Sequence, residues 1–123
     1  MRARSLTARA LLAAVLHAGG FTAAQACQCR PLSRSQAIAT MAIVVKVRVQ
    51  AILAPGDPYK AGETTVSLRV LDRIKGRTAR IVTVSTPASG MACGLNFVAG
   101  DELTLGLSPH AGGFWANSCM FVP

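Results

Sequence analysis

The chain has 123 residues, which is the length of a single domain. Apolar residues make up 51% of it and charged residues 15%, and this composition excludes an intrinsically disordered protein, because disorder needs low hydrophobicity and high charge. The formal net charge is +8, but part of that charge lies in an N-terminal segment that we expect to be removed.

The first 26 residues have the pattern of a secretory signal peptide. Arginines at positions 2, 4 and 9 flank the start of an apolar run at positions 10–16, and Ala24-Gln25-Ala26 supplies the small residues of a cleavage site. The run is too short to span a membrane, which takes about 20 residues, so we expect no membrane span. Cleavage after Ala26 would leave a domain of residues 27–123 that is secreted, either to a periplasm or out of the cell.

Lipid attachment is the alternative fate of a chain that begins at Cys27. A bacterial lipoprotein signal normally has Leu three residues before the cysteine, where this chain has Ala24, and Gln25 is polar. A lipid on Cys27 would also leave an odd number of cysteines for disulfides. We therefore favour ordinary cleavage between Ala26 and Cys27.

The mature part begins with an extended segment and a short helix. Pro31 disfavours helical backbone in the residue before it, and Ser33 or Ser35 can cap a turn of helix over Ala37–Met41. Apolar residues then alternate with mostly polar ones from Ile43 to Ala51, with Val44 falling on the polar side. This alternation predicts a strand with one solvated face.

Four further strands follow by the same alternation. They are predicted at Val66–Leu71, Arg80–Thr86, Leu103–Leu107 and Phe114–Phe121, with Gly- or Pro-containing breaks between them. Five such segments with almost no helical periodicity predict an antiparallel, all-β domain. We expect a small closed or partly open barrel, because closure removes exposed strand edges.

All four cysteines lie in the mature part, at positions 27, 29, 93 and 119, and an even number in a small exported chain predicts disulfides. Successive side chains of an extended segment point to opposite sides, so we expect the sulfurs of Cys27 and Cys29 to diverge toward separate distant partners. Two crossed pairings remain, and each bridge would contribute about 4 kcal/mol. A zinc-thiolate site is disfavoured, because structural zinc prefers C-x(2–4)-C pairs and the expected compartment is oxidising.

Several segments resemble the tissue inhibitors of metalloproteinases, which are netrin-like proteins with an OB-type barrel. Cys27–Pro31 resembles the family's C-x-C-x-P start, and Ala42–Val49 resembles its first strand. Ile74–Gly76 resembles its apolar-K-G strand end. Further along, Cys93–Phe97 resembles its C-G-x-x-F motif and Asn117–Val122 its late cysteine motif. The order and approximate spacing of the four cysteines also agree. The resemblance covers nearly all of residues 27–119 and implies a five-stranded, OB-like, netrin-like domain with the disulfides Cys27–Cys93 and Cys29–Cys119.

The resemblance also implies a function, the inhibition of a zinc metalloprotease. In the family the α-amine and carbonyl oxygen of the first cysteine chelate the catalytic zinc of the protease, and this role would fall to Cys27. The next side chain, here Gln28, would enter the specificity pocket of the protease. The remaining inhibitory contacts would come from Cys29 and from the segment Ser89, Gly90, Met91 and Ala92, which would lie beside Cys27. We expect a monomer without a cofactor of its own, and a zinc metalloprotease as its protein partner.

A basic cluster gives an alternative hypothesis. It consists of Arg69, Arg73, Lys75, Arg77 and Arg80, and only Asp72 offsets it. A barrel with such a face could be a non-inhibitory module that binds an anionic extracellular or envelope polymer, or a protein. Nucleic acid is not expected as a partner, because few aromatic residues are placed for stacking and the chain is exported. The simplest interpretation is a solvated strand face.

Nothing in the sequence indicates an enzyme. The chain lacks H-E-x-x-H, G-x-S-x-G and phosphate-loop motifs, and its carboxylates are too few for a paired acid–base site. His110 is predicted in a loop with no second titratable group nearby, and Trp115 is predicted in the core.

Overall fold

The computed structural model describes residues 27–123, in which five strands form one closed sheet. The strands are β1 (Ile43–Ala54), β2 (Glu63–Lys75), β3 (Ile81–Pro87), β4 (Glu102–His110) and β5 (Gly113–Trp115), and helix α1 (Arg34–Thr40) precedes them. Two 3₁₀ helices, Gly90–Ala92 and Ser118–Met120, follow β3 and β5. The expected signal peptide, residues 1–26, lies outside the described residues. Within residues 27–123, no helix is long and apolar enough to cross a membrane.

The strands follow one another around the sheet in the order β1-β2-β3-β5-β4, and β4 pairs with β1 to close it. Every neighbouring pair is antiparallel except β3 and β5, which run parallel where Val84 and Ser85 face Phe114 and Trp115. The prediction of a wholly antiparallel sheet is therefore wrong at this pair. A closed ring with an odd number of strands cannot alternate direction throughout, so at least one neighbouring pair must be parallel.

The first four predicted strands are confirmed, and β1, β2 and β4 are longer than predicted. The fifth prediction, Phe114–Phe121, is wrong in extent, because β5 ends at Trp115. The side chain of Asn117 accepts a hydrogen bond from the Cys119 backbone N–H at 3.0 Å and caps a 3₁₀ helix there. Phe121 returns to the sheet only as an isolated bridge to Leu105.

Alternating side chains fill the interior of the closed sheet. Val45, Val47 and Val49 of β1 are at most 1% exposed, whereas Lys46 and Arg48 between them point to solvent. The other strands contribute in the same way, and the core is completed by Val66, Leu68, Val70, Val82, Val84, Phe97, Leu105, Leu107 and Ala116. This pattern is what the period of two residues in the sequence predicts.

Helix α1 covers part of the outer face of β1. It begins after Ser33, whose hydroxyl accepts the N3 backbone N–H in a reciprocal capping box. Ala37 packs against Val44 and Val122, so Val44 is fully buried instead of lying on the solvated face that the alternation predicts. Lys75 Nζ donates to the carbonyl oxygens of residues 38 and 39 and so caps the last turn.

Charged side chains cross the outer face between β1 and β4. Arg48 lies opposite Glu102 in the register, and its Nη2 donates to Glu102 Oε2 at 2.9 Å. Lys46 Nζ lies 3.9 Å from the other carboxylate oxygen. The hydrogen bond from Arg48, followed by its charge, lowers the pKa of Glu102 below the ordinary value of a glutamate.

Candidate functional site

The N-terminal tripeptide of the described chain is held at both ends by sulfur bridges. Cys27 is joined to Cys93 and Cys29 to Cys119, each across a Cα–Cα distance of 5.0 Å. This is the pairing that the family resemblance implies, and it is one of the two crossed pairings that the sequence left open. Gln28, between the two bridges, is exposed.

The expectation that the sulfurs of Cys27 and Cys29 diverge is wrong. The two Sγ atoms lie only 3.9 Å apart, and both approach the hydroxyl of Ser118, at 3.4 and 3.7 Å. Successive residues of an extended chain do point to opposite sides, but the two cysteines are two residues apart and therefore share a side. Gln28 is the residue that the alternation directs away from both bridges.

The segment before Cys93 forms a tight turn beside this tripeptide. The 3₁₀ helix Gly90–Ala92 is capped by Ser89, whose hydroxyl accepts from the Met91 backbone N–H at 3.2 Å. The Ser89 carbonyl oxygen accepts from the backbone N–H groups of residues 92 and 94 at 3.1 and 2.9 Å. Cys93 ends the turn in the left-handed region, with φ of 66°, and its disulfide fixes it there against the steric cost.

Gly94 is required by the close approach of two backbone segments. A Cβ atom at this position would collide with the carbonyl oxygens of Pro87 and Ser89. The next residue, Leu95, is tied to the sheet, since its N–H donates at 2.9 Å to the hydroxyl of the fully buried Thr86. The turn is therefore anchored in the core immediately after Cys93.

The two bridged regions are also joined to each other. The Ser118 backbone N–H donates to the Cys93 carbonyl oxygen at 2.8 Å, next to Cys119 in the second 3₁₀ helix. The Cys27–Cys93 bridge links the two segments of sequence-predicted contact residues, and we call residues 27–29 and 89–92 together the N-terminal ridge. Its side chains are exposed except for those of Cys27 and Ser89, which are half-buried.

Among residues 27–123, the four cysteine sulfurs are a group of side-chain donor atoms close enough together to hold one metal ion. All four lie within 4.8 Å of one another. In the observed state every sulfur is part of a disulfide and has no thiolate to offer a metal. The cysteine side chains are therefore not available as metal ligands in this state.

An apolar groove beside the ridge was not predicted from the sequence. It has a volume of about 560 Å³ and lies between the β1–β2 loop, residues 58–62, and the segment 89–92. Tyr59 and Met91 line it and are 94% and 63% exposed. The exposure of Tyr59 could have been predicted, because it lies between Pro58 and Lys60 in a loop and no strand alternation buries it. That Met91 lies across the groove from it could be seen only in the tertiary structure.

His110 and Trp115 are placed differently from their predictions. His110 is the last residue of β4 and lies beside Glu63, with 3.7 Å between Nε2 and the carboxylate oxygen. Its ring packs against Trp115 at 5.3 Å between ring centroids, and Trp115 is half-buried instead of lying in the core. This cluster lies where β4 ends and β5 begins.

Comparison of the sequence with protein-family models and with curated proteins finds no match.

Proposed function

We propose that the chain is a single-domain, netrin-like protein with an OB-type barrel that is secreted, cleaved before Cys27, and inhibits a zinc metalloprotease. The observation that carries the proposal is the double attachment of the N-terminal tripeptide. Cys27 and Cys29 are each bridged to the body of the domain, and the residue between them is exposed.

The double attachment matters because it orders the N-terminal tripeptide before any partner binds. The first residues of most domains are mobile, and fixing them on a partner costs part of the binding free energy. With both bridges in place, the α-amine and carbonyl oxygen of Cys27 are already ordered before the domain meets a partner. The two atoms form a five-membered chelate ring with a metal ion.

The chemistry of the target site fits this donor set. A catalytic zinc keeps one coordination position for water or substrate, and a chelating terminus can take that position. An α-amine has a pKa of about 7.7, so a metal displaces its proton readily at neutral pH. Gln28 would then enter the specificity pocket, and residues 89–92 would contact the substrate cleft beside it.

The apolar groove next to the ridge supports a protein partner of this kind. Tyr59 and Met91 place exposed apolar surface beside the segment 89–92 of the ridge, and exposed apolar patches can mark interaction sites in soluble domains. Met in particular adapts its shape to a partner. The ridge and groove together offer a contact surface much larger than the chelating residue alone.

One residue added before Cys27 tests the proposal. The oxidised chain starting at Cys27 and a version with an extra Ala before Cys27 are assayed against a panel of zinc metalloproteases with a fluorogenic peptide. We expect the extension to weaken inhibition by about 100-fold or more, since it removes the free amine from the chelate. A chain extended by one Ala after Pro123 is the control and should inhibit normally.

A small hydroxamate that occupies the catalytic zinc provides the second measurement. Inhibition through Cys27 predicts that the hydroxamate and the protein exclude each other. Equal inhibition by the extended and unextended chains, inhibition by neither, or simultaneous binding with the hydroxamate would each contradict the chelation mechanism.

A further inference from the structure

Three arginines converge on a surface pocket that the proposed inhibitory function does not use. The pocket has a volume of about 290 Å³ and is lined by Arg69, Val70, Leu71, Arg73 and Arg80. It lies on β2 and at the start of β3, away from the N-terminal ridge in the sequence and sharing none of its residues.

The strand pattern accounts for this convergence. In β2 the side chains of Val66, Leu68 and Val70 are buried, so Arg69 points outward. Arg73 lies beyond a register shift in the β1–β2 pairing, where the alternation is broken, and it is also exposed. The third arginine, Arg80, immediately precedes β3, and its carbonyl oxygen accepts from the Val70 N–H at 2.7 Å. Strand β2 and the residue before β3 thus bring three guanidinium groups to one place on the surface.

These arginines have no carboxylate partner among the described residues. Among residues 27–123, the ion pairs of Lys and Arg join Glu102 to Lys46 and Arg48, and Glu63 lies beside His110. Asp72, the acidic residue within the cluster, faces Lys46 in the strand register and makes no ion pair with an arginine there. The positive charge of the pocket is therefore not neutralised by the described part of the protein.

One of the three guanidinium groups is also held in place. Arg73 Nε donates to the carbonyl oxygen of Thr78 at 3.0 Å, across the turn between β2 and β3. This bond uses the Nε–H and leaves the terminal N–H groups for a ligand. A guanidinium that is already oriented loses less freedom when it binds an oxyanion, and its planar fork suits the two oxygens of a carboxylate or sulfate.

From this geometry we infer that the pocket binds the oxyanion groups of an acidic polysaccharide. A repeating polyanion matches three adjacent cationic groups better than a single anion does, since neighbouring charges of one chain can bind together. Nucleic acid is disfavoured because the pocket is lined by arginine and aliphatic side chains, with no aromatic ring for base stacking. The inference does not depend on protease inhibition, because it involves none of the ridge residues.

Charge-matched variants test the inference on the oxidised chain. The test variant is Arg69→Gln with Arg80→Gln, which leaves the Arg73–Thr78 bond intact. The control is Arg34→Gln with Lys60→Gln, which removes the same net charge from residues that do not line the pocket. Titration calorimetry at low salt uses dextran sulfate, polygalacturonate, uncharged dextran and a thymidine oligonucleotide as separate probes.

We expect the wild-type chain to bind one or both acidic polysaccharides, and not the uncharged dextran, with an affinity that falls as salt is added. The test variant should bind about tenfold or more weakly than the control variant. Arg73→Lys keeps the charge but loses the fork, so it should also weaken binding. Circular dichroism confirms that each variant is folded.

Three outcomes would overturn the inference. Equal weakening in the test and control variants would show attraction to overall charge and no site. Absence of binding to both acidic polysaccharides at low salt would show that the pocket does not take this class of ligand. Tighter binding of the oligonucleotide than of either polysaccharide would assign the face to nucleic acid.

Discussion

Removal of the Cys29–Cys119 bridge should destabilise the domain mainly through its unfolded state. With Cys27–Cys93 still in place, the bridge closes a loop of about 28 residues made of the segments 27–29 and 93–119, and the loss of loop-closure entropy for such a loop corresponds to about 3–4 kcal/mol. Cys29 is exposed and its neighbours in the tripeptide bury little surface, so replacing both cysteines by serine removes few contacts of the folded state. Nearly the whole cost should therefore come from the released unfolded chain.

The second bridge provides an internal comparison. Removal of Cys27–Cys93 opens the same loop, because Cys29–Cys119 then remains, so the loop-closure expression gives the same cost. The two double-serine variants should thus be destabilised almost equally, although one bridge is more exposed than the other. Both variants should also expose more surface on unfolding and show larger m-values.

Urea unfolding of the oxidised wild-type chain and the two double variants, followed by circular dichroism at low temperature, measures these quantities. A loss below about 1 kcal/mol in either variant would refute the chain-entropy argument. So would losses that differ by more than about 2 kcal/mol between the variants, because contacts or strain in the folded state would then dominate.

The remaining predictions concern single sites. Ser33→Ala should cost about 1 kcal/mol by removing the helix cap, while Ser35→Ala, as its control, should cost much less in the same denaturation assay. Gly94→Ala should cost about 1–3 kcal/mol because its methyl group meets two carbonyl oxygens, and an unchanged melting temperature would contradict that packing. The pKa of Glu102, measured by NMR titration, should lie below that of an ordinary glutamate and should rise in Arg48→Met. Because the folded-state pKa is lowered, the small stabilisation from this pair exists at neutral pH and is lost as the pH falls through that pKa. An unchanged pKa of Glu102 in the variant would refute the assignment. A chelator such as EDTA should leave the melting temperature of the oxidised chain unchanged, since all four cysteine sulfurs are in disulfides, and a fall on chelation would show a structural metal.

The strands and the helix cap are local properties, and the sequence carried enough information to predict them. Alternation with a period of two marks the buried residues of β1 and β2, and Ser33 supplies a cap wherever its helix packs. Val44 breaks the alternation because α1 lies over it. No pattern within β1 could show that, since the covering residues come from another element.

The candidate site could be predicted less fully than the strands, because it depends on contacts between distant parts of the chain. An even number of cysteines predicts disulfides, but the choice between two crossed pairings required the positions of Cys93 and Cys119 in space. The same-side arrangement of Cys27 and Cys29 follows from the period of two residues and could have been predicted. The groove between Tyr59 and Met91 could not, because its two walls are about 30 residues apart in the chain.

Local patterns were enough to predict the first four strands of this protein, the apolar faces of those strands and the number of cysteines available for disulfides. They could do so because each of these properties depends on residues within a few positions of one another. Only the tertiary structure decided the parallel β3–β5 pair, the early end of β5 and the joining of the ridge from residues 27–29 and 89–92. Those features follow from closing five strands into a ring and from contacts between distant parts of the chain, which no local pattern encodes.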